Sequence, residues 1–351
     1  MAVHEFGHLI VAKWVGARVK EYAIGFPPRL FSRKFRGTEY SLNLTPLGGY
    51  VNIAGEEGLD EEDEKDIPKE EKLSGKHPLK KIAVLVAGVT ANIVLAWILI
   101  SITLMAGAYE PVTTSDVPQD AKVVVLGTSS GSPAKLAGIK PNDVVTGVSS
   151  GGALFQTKTA EDLVDFLGRN QNSKITLNIL RAGETIEIKD LLQTEGIVDG
   201  KKALGISIDT AVMKDYSFFT AFYKGIGVTG STIKLISIGA GKALGNIVQL
   251  KGGLSEVAGP VGIGKIVGEA RSLGWVSIIT FAAFLSINLA IINILPFPAL
   301  DGGRVVFTLV EWARGKPVPA KVGRMVHGAG FALLILLMVI VTVHDVSGLL
   351  K

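Results

Sequence analysis

The sequence predicts a polytopic α-helical membrane protein of about four transmembrane helices, the first truncated. A compact α/β domain is inserted outside the membrane, and a β-hairpin associates with the membrane surface. Three observations carry that fold class. The 351 residues are 48% hydrophobic and 19% charged, with a mean hydropathy of +0.39, more apolar than an ordinary soluble domain. Residues 82–108, 274–300 and 325–343 contain no Asp, Glu, Lys or Arg, and about 20 helical residues cross a hydrocarbon core. Residues 109–273, between the first two of these stretches, are patterned like a folded domain.

Residues 1–16 contain an apolar piece, 6–15, too short to span alone; it reads as the second half of a spanning helix whose first half lies upstream of Met1. Residues 17–81 form a loop carrying Arg33, Lys34, Arg36, Lys80 and Lys81, and residues 301–324 form another with Arg304, Arg314, Lys316, Lys321 and Arg324. Basic residues beside spans mark the cytoplasmic side, so both loops are expected there and residues 109–273 outside. Ten acidic residues between Glu56 and Glu71 read as a solvated, flexible loop, because acidic residues weigh little in that rule. Within the first loop, Tyr40, Leu42 and Leu44 alternate with Ser41, Asn43 and Thr45 before Pro46–Gly49, the pattern of a β-hairpin turning at those residues.

Residues 82–108 are the second transmembrane helix. Residues 117–210 hold the outer domain, with strand-like runs at 122–126, 143–148, 174–180, 185–189 and 203–208 and helical pieces at 132–137 and 161–167. Its stretch GSPAKLAGIKPNDVVTGVSSGG resembles the PDZ domain of bacterial envelope proteases, with Asn142 where that family usually has Gly. Residues 214–272 read as an amphipathic, interfacial segment. Between Asp215 and Leu250, Lys224, Lys234 and Lys242 and six glycines favour an interfacial helix pair over a fifth span. Residues 274–300 and 325–343 are the third and fourth spans.

Cysteine is absent, so a bound metal must draw on His, Asp or Glu. The net charge of +4 is placed as membrane topology requires, and nucleic acid is not implied. His4 and His8, in His-Glu-Phe-Gly-His, project from one helix face a turn apart and can hold one Zn2+ ion, with Glu5 beside them as the expected general base. A third ligand is required. Asp301 ends an otherwise charge-free run in NLAIINILPFPALDGGR, and a carboxylate at such a depth is costly unless paired or metal-bound. His4, His8 and Asp301 each precede a cytoplasmic loop, so they meet at one depth near the inner face. Pro296 and Pro298 break the helix there, and Gly302 and Gly303 permit close backbone approach. His77, His327 and His344 sit at interfaces and call for no metal.

Taken together, HEFGH at 4–8, VAKWVGARVKEYAIGF after it, SEVAGPVGI at 255–263 and Asn-x-x-Pro-x-Pro-x-Leu-Asp-Gly-Gly-Arg at 293–304 resemble the bacterial site-2 proteases, intramembrane zinc metalloproteases that include the regulator of sigma-E protease. The resemblance implies His4, His8 and Asp301 as zinc ligands, Glu5 as catalytic base, and Asn293 as an amide that steadies the substrate backbone or the oxyanion. It implies that Tyr40, Leu42, Asn43 and Leu44 lie on a membrane-reentrant β-loop whose strand edge holds the unwound substrate. The implied setting is the bacterial inner membrane, with the PDZ domain extracytoplasmic and the active site near the cytoplasmic face. The implied activity is endoproteolysis within transmembrane protein substrates, such as anti-sigma factors or remnant signal peptides, after an upstream site-1-type protease has trimmed them. Two alternatives are a non-proteolytic adaptor binding peptides through its PDZ domain, opposed by the intact Glu5, and a soluble zinc peptidase, opposed by the three spans.

Overall fold

The computed structural model describes residues 1–56, 64, 66–112, 117–129, 131–181, 183–198, 201–249, 259–272, 274–316 and 318–349. Half of the acidic residues between Glu56 and Glu71, and residues 255–258 of the SEVAGPVGI stretch, lie outside them. The chain forms two compact units, one of residues 1–100, 222–268 and 279–351, the other of residues 101–221 and 269–278.

The first unit begins with helix α1 (Ala2–Trp14), which stops at Val15 and at Gly16, whose φ of +75° continues no helix. Two long strands follow, β1 (Val19–Phe35) and β2 (Thr38–Ile53), and both double back on themselves. Their hairpin turn is Arg36–Gly37, with φ of +46° and +80°. Positive φ at both central residues is what a tight two-residue turn between twisted strands requires. This corrects the expectation of a hairpin turning at Pro46–Gly49. There the chain does return, but segment 49–53 pairs with 19–24 instead of with 40–45: Tyr22 lies opposite both Tyr40 and Val51, and Ala23 opposite both Ser41 and Tyr50.

The register orders the four segments as 29–35, 38–45, 19–26 and 49–53. Tyr40 and Leu42 therefore have strand partners on both sides, and Asn43, paired with Arg29, and Leu44 belong to the same internal segment. Asn43 is buried, with Nδ2 donating to the Gly25 carbonyl at 3.0 Å. These residues do not form the expected edge. Among the described residues, segment 49–53 pairs on one side only.

Helices α2 (Pro78–Met105), α7 (Trp275–Ile294) and α9 (Ala320–Leu349) supply three stretches long and apolar enough to cross a membrane. Helix α7 ends at Ile294, six residues before the apolar run does, because Pro296 and Pro298 withdraw backbone donors. Helix α8 (Asp301–Arg314) starts with an acidic residue in its first turn, which suits the positive helix end, and closes on Gly315 with φ +63°. Residues 218–248 form one continuous 31-residue helix, α5 (Phe218–Val248), instead of an interfacial pair. Its glycines cost helix propensity but keep every backbone donor, so they do not break it as proline would. A further helix, α6 (Pro260–Ser272), precedes α7.

A core of Leu9 and Ala12 from α1, Val19 and Tyr22 from β1, Ile53 from β2 and Val84 from α2 ties the first helix to the sheet and to α2.

The second unit is built on a sheet ordered β3 (Ala108–Pro111), β11 (Ile206–Lys214), β4 (Lys122–Thr128), β5 (Val144–Ser149), β7 (Ile175–Arg181) and β8 (Glu184–Leu191), with β6 (Leu154–Phe155) also paired to β5. A separate pair joins β9 (Thr194–Val198) to β10 (Lys201–Ala203). Helices α3 (Pro133–Leu136) and α4 (Ala160–Arg169) pack Ala134, Leu163 and Leu167 into a core with Val123, Val148 and Ile179. Asn142 has φ +68°, a left-handed position that Asn accepts more readily than most residues, which accounts for its standing in place of Gly. Fully buried Asp143 receives Arg181 Nε at 2.7 Å, Arg181 Nη2 at 2.6 Å and the Lys140 N–H at 2.8 Å.

Candidate metal centre

His4 and His8 are buried on the face of α1 turned toward α2, their rings edge to face with centroids 4.7 Å apart. Helix α2 meets both rings with three residues spaced by four. The Val84 carbonyl accepts from His8 Nδ1 at 2.7 Å, the Asn92 side-chain amide reaches His4 Nδ1 at 3.3 Å, and Gly88 lies between them. A Cβ on Gly88 would fall against His8 Nε2 and 2.6 Å from His4 Cε1, so only glycine leaves room for the two imidazoles. Asn92 is itself buried, and its carbonyl accepts from Ser286 Oγ of α7 at 2.9 Å.

Asp301 arrives from the other end of the sequence. The turn before it is compressed against the end of α7: a Cβ on Gly302 would overlap the Ile294 and Leu295 carbonyls, and one on Gly303 would overlap that of Phe297. Asp301 Oδ2 consequently lies 2.9 Å from His4 Nε2 and 3.3 Å from His8 Nε2, while the two Nε2 atoms are 3.1 Å apart. His8 Nδ1 carries its ring proton toward Val84. His4 Nδ1 can carry its own if the Asn92 amide turns its oxygen to the ring. Both Nε2 atoms then face Oδ2 as lone pairs, and Oδ2 is buried without a hydrogen-bond partner. Three converging electron-pair donors suit a metal cation. Ligands about 2.1 Å from a tetrahedral zinc ion stand roughly 3.4 Å from one another, a few tenths of an ångström beyond the separations seen, so the residues fit zinc with a small outward shift.

A cavity of about 540 Å³ opens on this cluster. Glu5 and Asn293 line it, as does segment 50–53 of β2. Tyr40, Leu42, Asn43 and Leu44 do not border it. The structure thus brings His4, Glu5, His8, Asn293 and Asp301 to one cavity and substitutes residues 50–53 for the expected strand. Asn92 and Gly88 escaped sequence reasoning. Their one signal is the i, i+4, i+8 spacing with Val84, legible only once α2 is known to pack on α1.

The sequence matches the model of peptidase family M50 over residues 1–337. "Putative zinc metalloprotease CPE1693" of Clostridium perfringens is 34% identical over 98% of this chain and 94% of that protein. "Putative zinc metalloprotease Atu1380" of Agrobacterium fabrum is 31% identical over 99% and 93%, and "Zinc metalloprotease RasP" of Shouchella clausii 29% identical over 99% and 96%. Likeness of this extent reaches across both units and all three apolar helices: the chain belongs to peptidase family M50 and is a zinc metalloprotease of the membrane.

Proposed function

We propose that this metalloprotease hydrolyses peptide bonds within transmembrane segments of membrane proteins, in regulated intramembrane proteolysis of the kind that follows a first cut by another protease. The observation that carries the reading is one cavity bordered by a metal-ligand cluster, a carboxylate and a strand with an unpaired side. A transmembrane helix hides its peptide bonds in internal hydrogen bonds and must be extended before cleavage. Segment 49–53 can pair with the extended chain as an added strand.

In this reading His4, His8 and Asp301 hold the zinc ion. Bound there, zinc polarises the scissile carbonyl and makes water acidic enough to attack at neutral pH. Glu5 takes the proton of the attacking water on its carboxylate and returns it to the amide nitrogen as the C–N bond breaks; the new carboxyl group then passes its own proton to the amine, leaving a carboxylate and an ammonium group. Asn293 donates its side-chain N–H to the carbonyl oxygen as negative charge gathers there. Val84 and Asn92 hold the imidazoles in the tautomer that directs Nε2 inward.

The basic loops support a topology with the cavity near the cytoplasmic face of a bacterial inner membrane. The second unit, read as an extracytoplasmic PDZ-like domain, filters substrates by size. The test is full-length enzyme in lipid vesicles with a fluorescent transmembrane peptide. Wild type cleaves it, and Glu5→Gln retains about one zinc per chain with cleavage reduced at least ~100-fold. Cleavage by Glu5→Gln at the wild-type rate would overturn the assignment.

A further inference from the structure

We infer that His327, far from the ligands in sequence and outside their cavity, is a positioning residue that holds the backbone turn delivering Asp301. The inference rests on the zinc-site reading above. Of the residues joining α7 to α8, Pro296 and Pro298 have no N–H, and the Leu295, Phe297 and Leu300 N–H groups bond to carbonyls within residues 292–297, so the Ala299 N–H is the donor that ties the turn to another element. Ala299, two residues before Asp301, has φ +76°. A residue with a Cβ persists there only when its surroundings hold it.

What holds it is α9. The Ala299 N–H donates to His327 Nδ1 at 2.9 Å. Nearly one turn further along α9, Gly330 lies so close to Pro298 that a Cβ would come within 2.6 Å of the proline's Cβ and carbonyl oxygen. The imidazole is braced in turn by Phe307 of α8, with ring centroids 5.7 Å apart. Two successive residues of the turn, Pro298 and Ala299, are thus docked on α9 immediately before the ligand. His327 borders a second cavity and not the one holding Glu5 and Asp301, so it acts through the backbone and touches no reacting atom. As the acceptor is Nδ1, the ring hydrogen sits on Nε2.

The test compares His327→Ala, His327→Asn and His327→Gln in the full-length protein in detergent. Asparagine places a side-chain oxygen near the position of Nδ1, whereas glutamine carries its oxygen one bond further. Zinc affinity of the metal-depleted protein is measured by competition with a chromophoric chelator, and hydrogen exchange is followed in peptides covering residues 297–303. The expected result is a loss of zinc affinity of about tenfold or more in His327→Ala, faster exchange at Ala299, recovery to within about threefold in His327→Asn, and no recovery in His327→Gln. If His327→Ala does not accumulate folded, the contrast between Asn and Gln decides. Zinc affinity within twofold of wild type in His327→Ala, or equal impairment of Asn and Gln, would overturn the inference. Wild type failing to bind zinc at His4, His8 and Asp301 would instead overturn the metal-centre reading, a separate outcome of the same titration.

Discussion

His8 Nδ1 donates to the carbonyl of Val84 at 2.7 Å, a bond between residues 76 positions apart. That carbonyl belongs to the regular helix α2, so one surface of an apolar helix serves as the template for the metal centre. Val84 fixes one imidazole, Asn92 reaches the other, and Gly88 makes space for both.

A single methyl group at the middle of this template is therefore expected to act on metal binding before it acts on the fold. Gly88→Ala should lower zinc affinity by about tenfold or more, with little loss of helicity, since alanine is the better helix former. Chelator competition and circular dichroism on one preparation check it. Unchanged zinc affinity would show that the rings have room to retreat.

The interior placement of Asn43 redirects the test of substrate pairing to segment 49–53. In a strand alternate N–H groups point to opposite edges, so proline placed in turn at Tyr50, Val51 and Asn52 should give alternating results. Where the N–H faces the cavity, zinc content holds and cleavage of a stable transmembrane helix falls about tenfold or more. A substrate loosened by Gly or Pro near its scissile bond should lose less, because part of its unfolding cost is already met. Uniform retention of activity at all three positions would rule out strand pairing.

Asp143 is fully buried, and Arg181 beside it has its pKa raised by that carboxylate. Arg181→Ala leaves a buried charge with the Lys140 N–H as its one remaining donor among the bonds described above. The second unit should lose on the order of 3 kcal/mol of stability. Faster hydrogen exchange in peptides covering 122–208 of the full chain, with zinc affinity unaltered, is the expected signature. Replacing both residues by apolar ones of similar volume should recover much of the loss.

If the second unit filters substrates, replacing residues 117–210 by a flexible linker should leave zinc bound and allow cleavage of untrimmed substrates. Loss of all cleavage in a folded, zinc-loaded deletion would argue against a filter.

The clustering of His4, His8 and Asp301 was legible because the signals are local. Two histidines four apart declare a helix face, and Asp301 stands out as the first charge after a long apolar run. In the second unit β4, β5, β7 and β8 were visible through their alternation and punctuation and β11 only at its start, whereas the short strands β3, β6, β9 and β10 were not. The hairpin turn was not, because Arg36 with φ +46° belongs to no turn signature readable in one sequence. Neither was the insertion of 19–26 between 38–45 and 49–53, since alternation gives the faces of a strand and never its neighbours. His327 read as an interfacial histidine for the same reason: what it serves is an N–H on a turn 28 residues earlier, brought near only by the packing of α9.

The one-sided pairing of segment 49–53 also bears on where water must be. Backbone groups left unpaired in hydrocarbon cost several kcal/mol each, so an idle enzyme can keep this strand at membrane depth only if it stays hydrated. The cavity beside it is then a reservoir as well as a reaction chamber. In the proposed reading, each arriving substrate would exchange backbone-to-water bonds for backbone-to-backbone ones, releasing solvent beside the bond to be hydrolysed. The reactant water is supplied by the same wetting that keeps the empty strand soluble in its own protein.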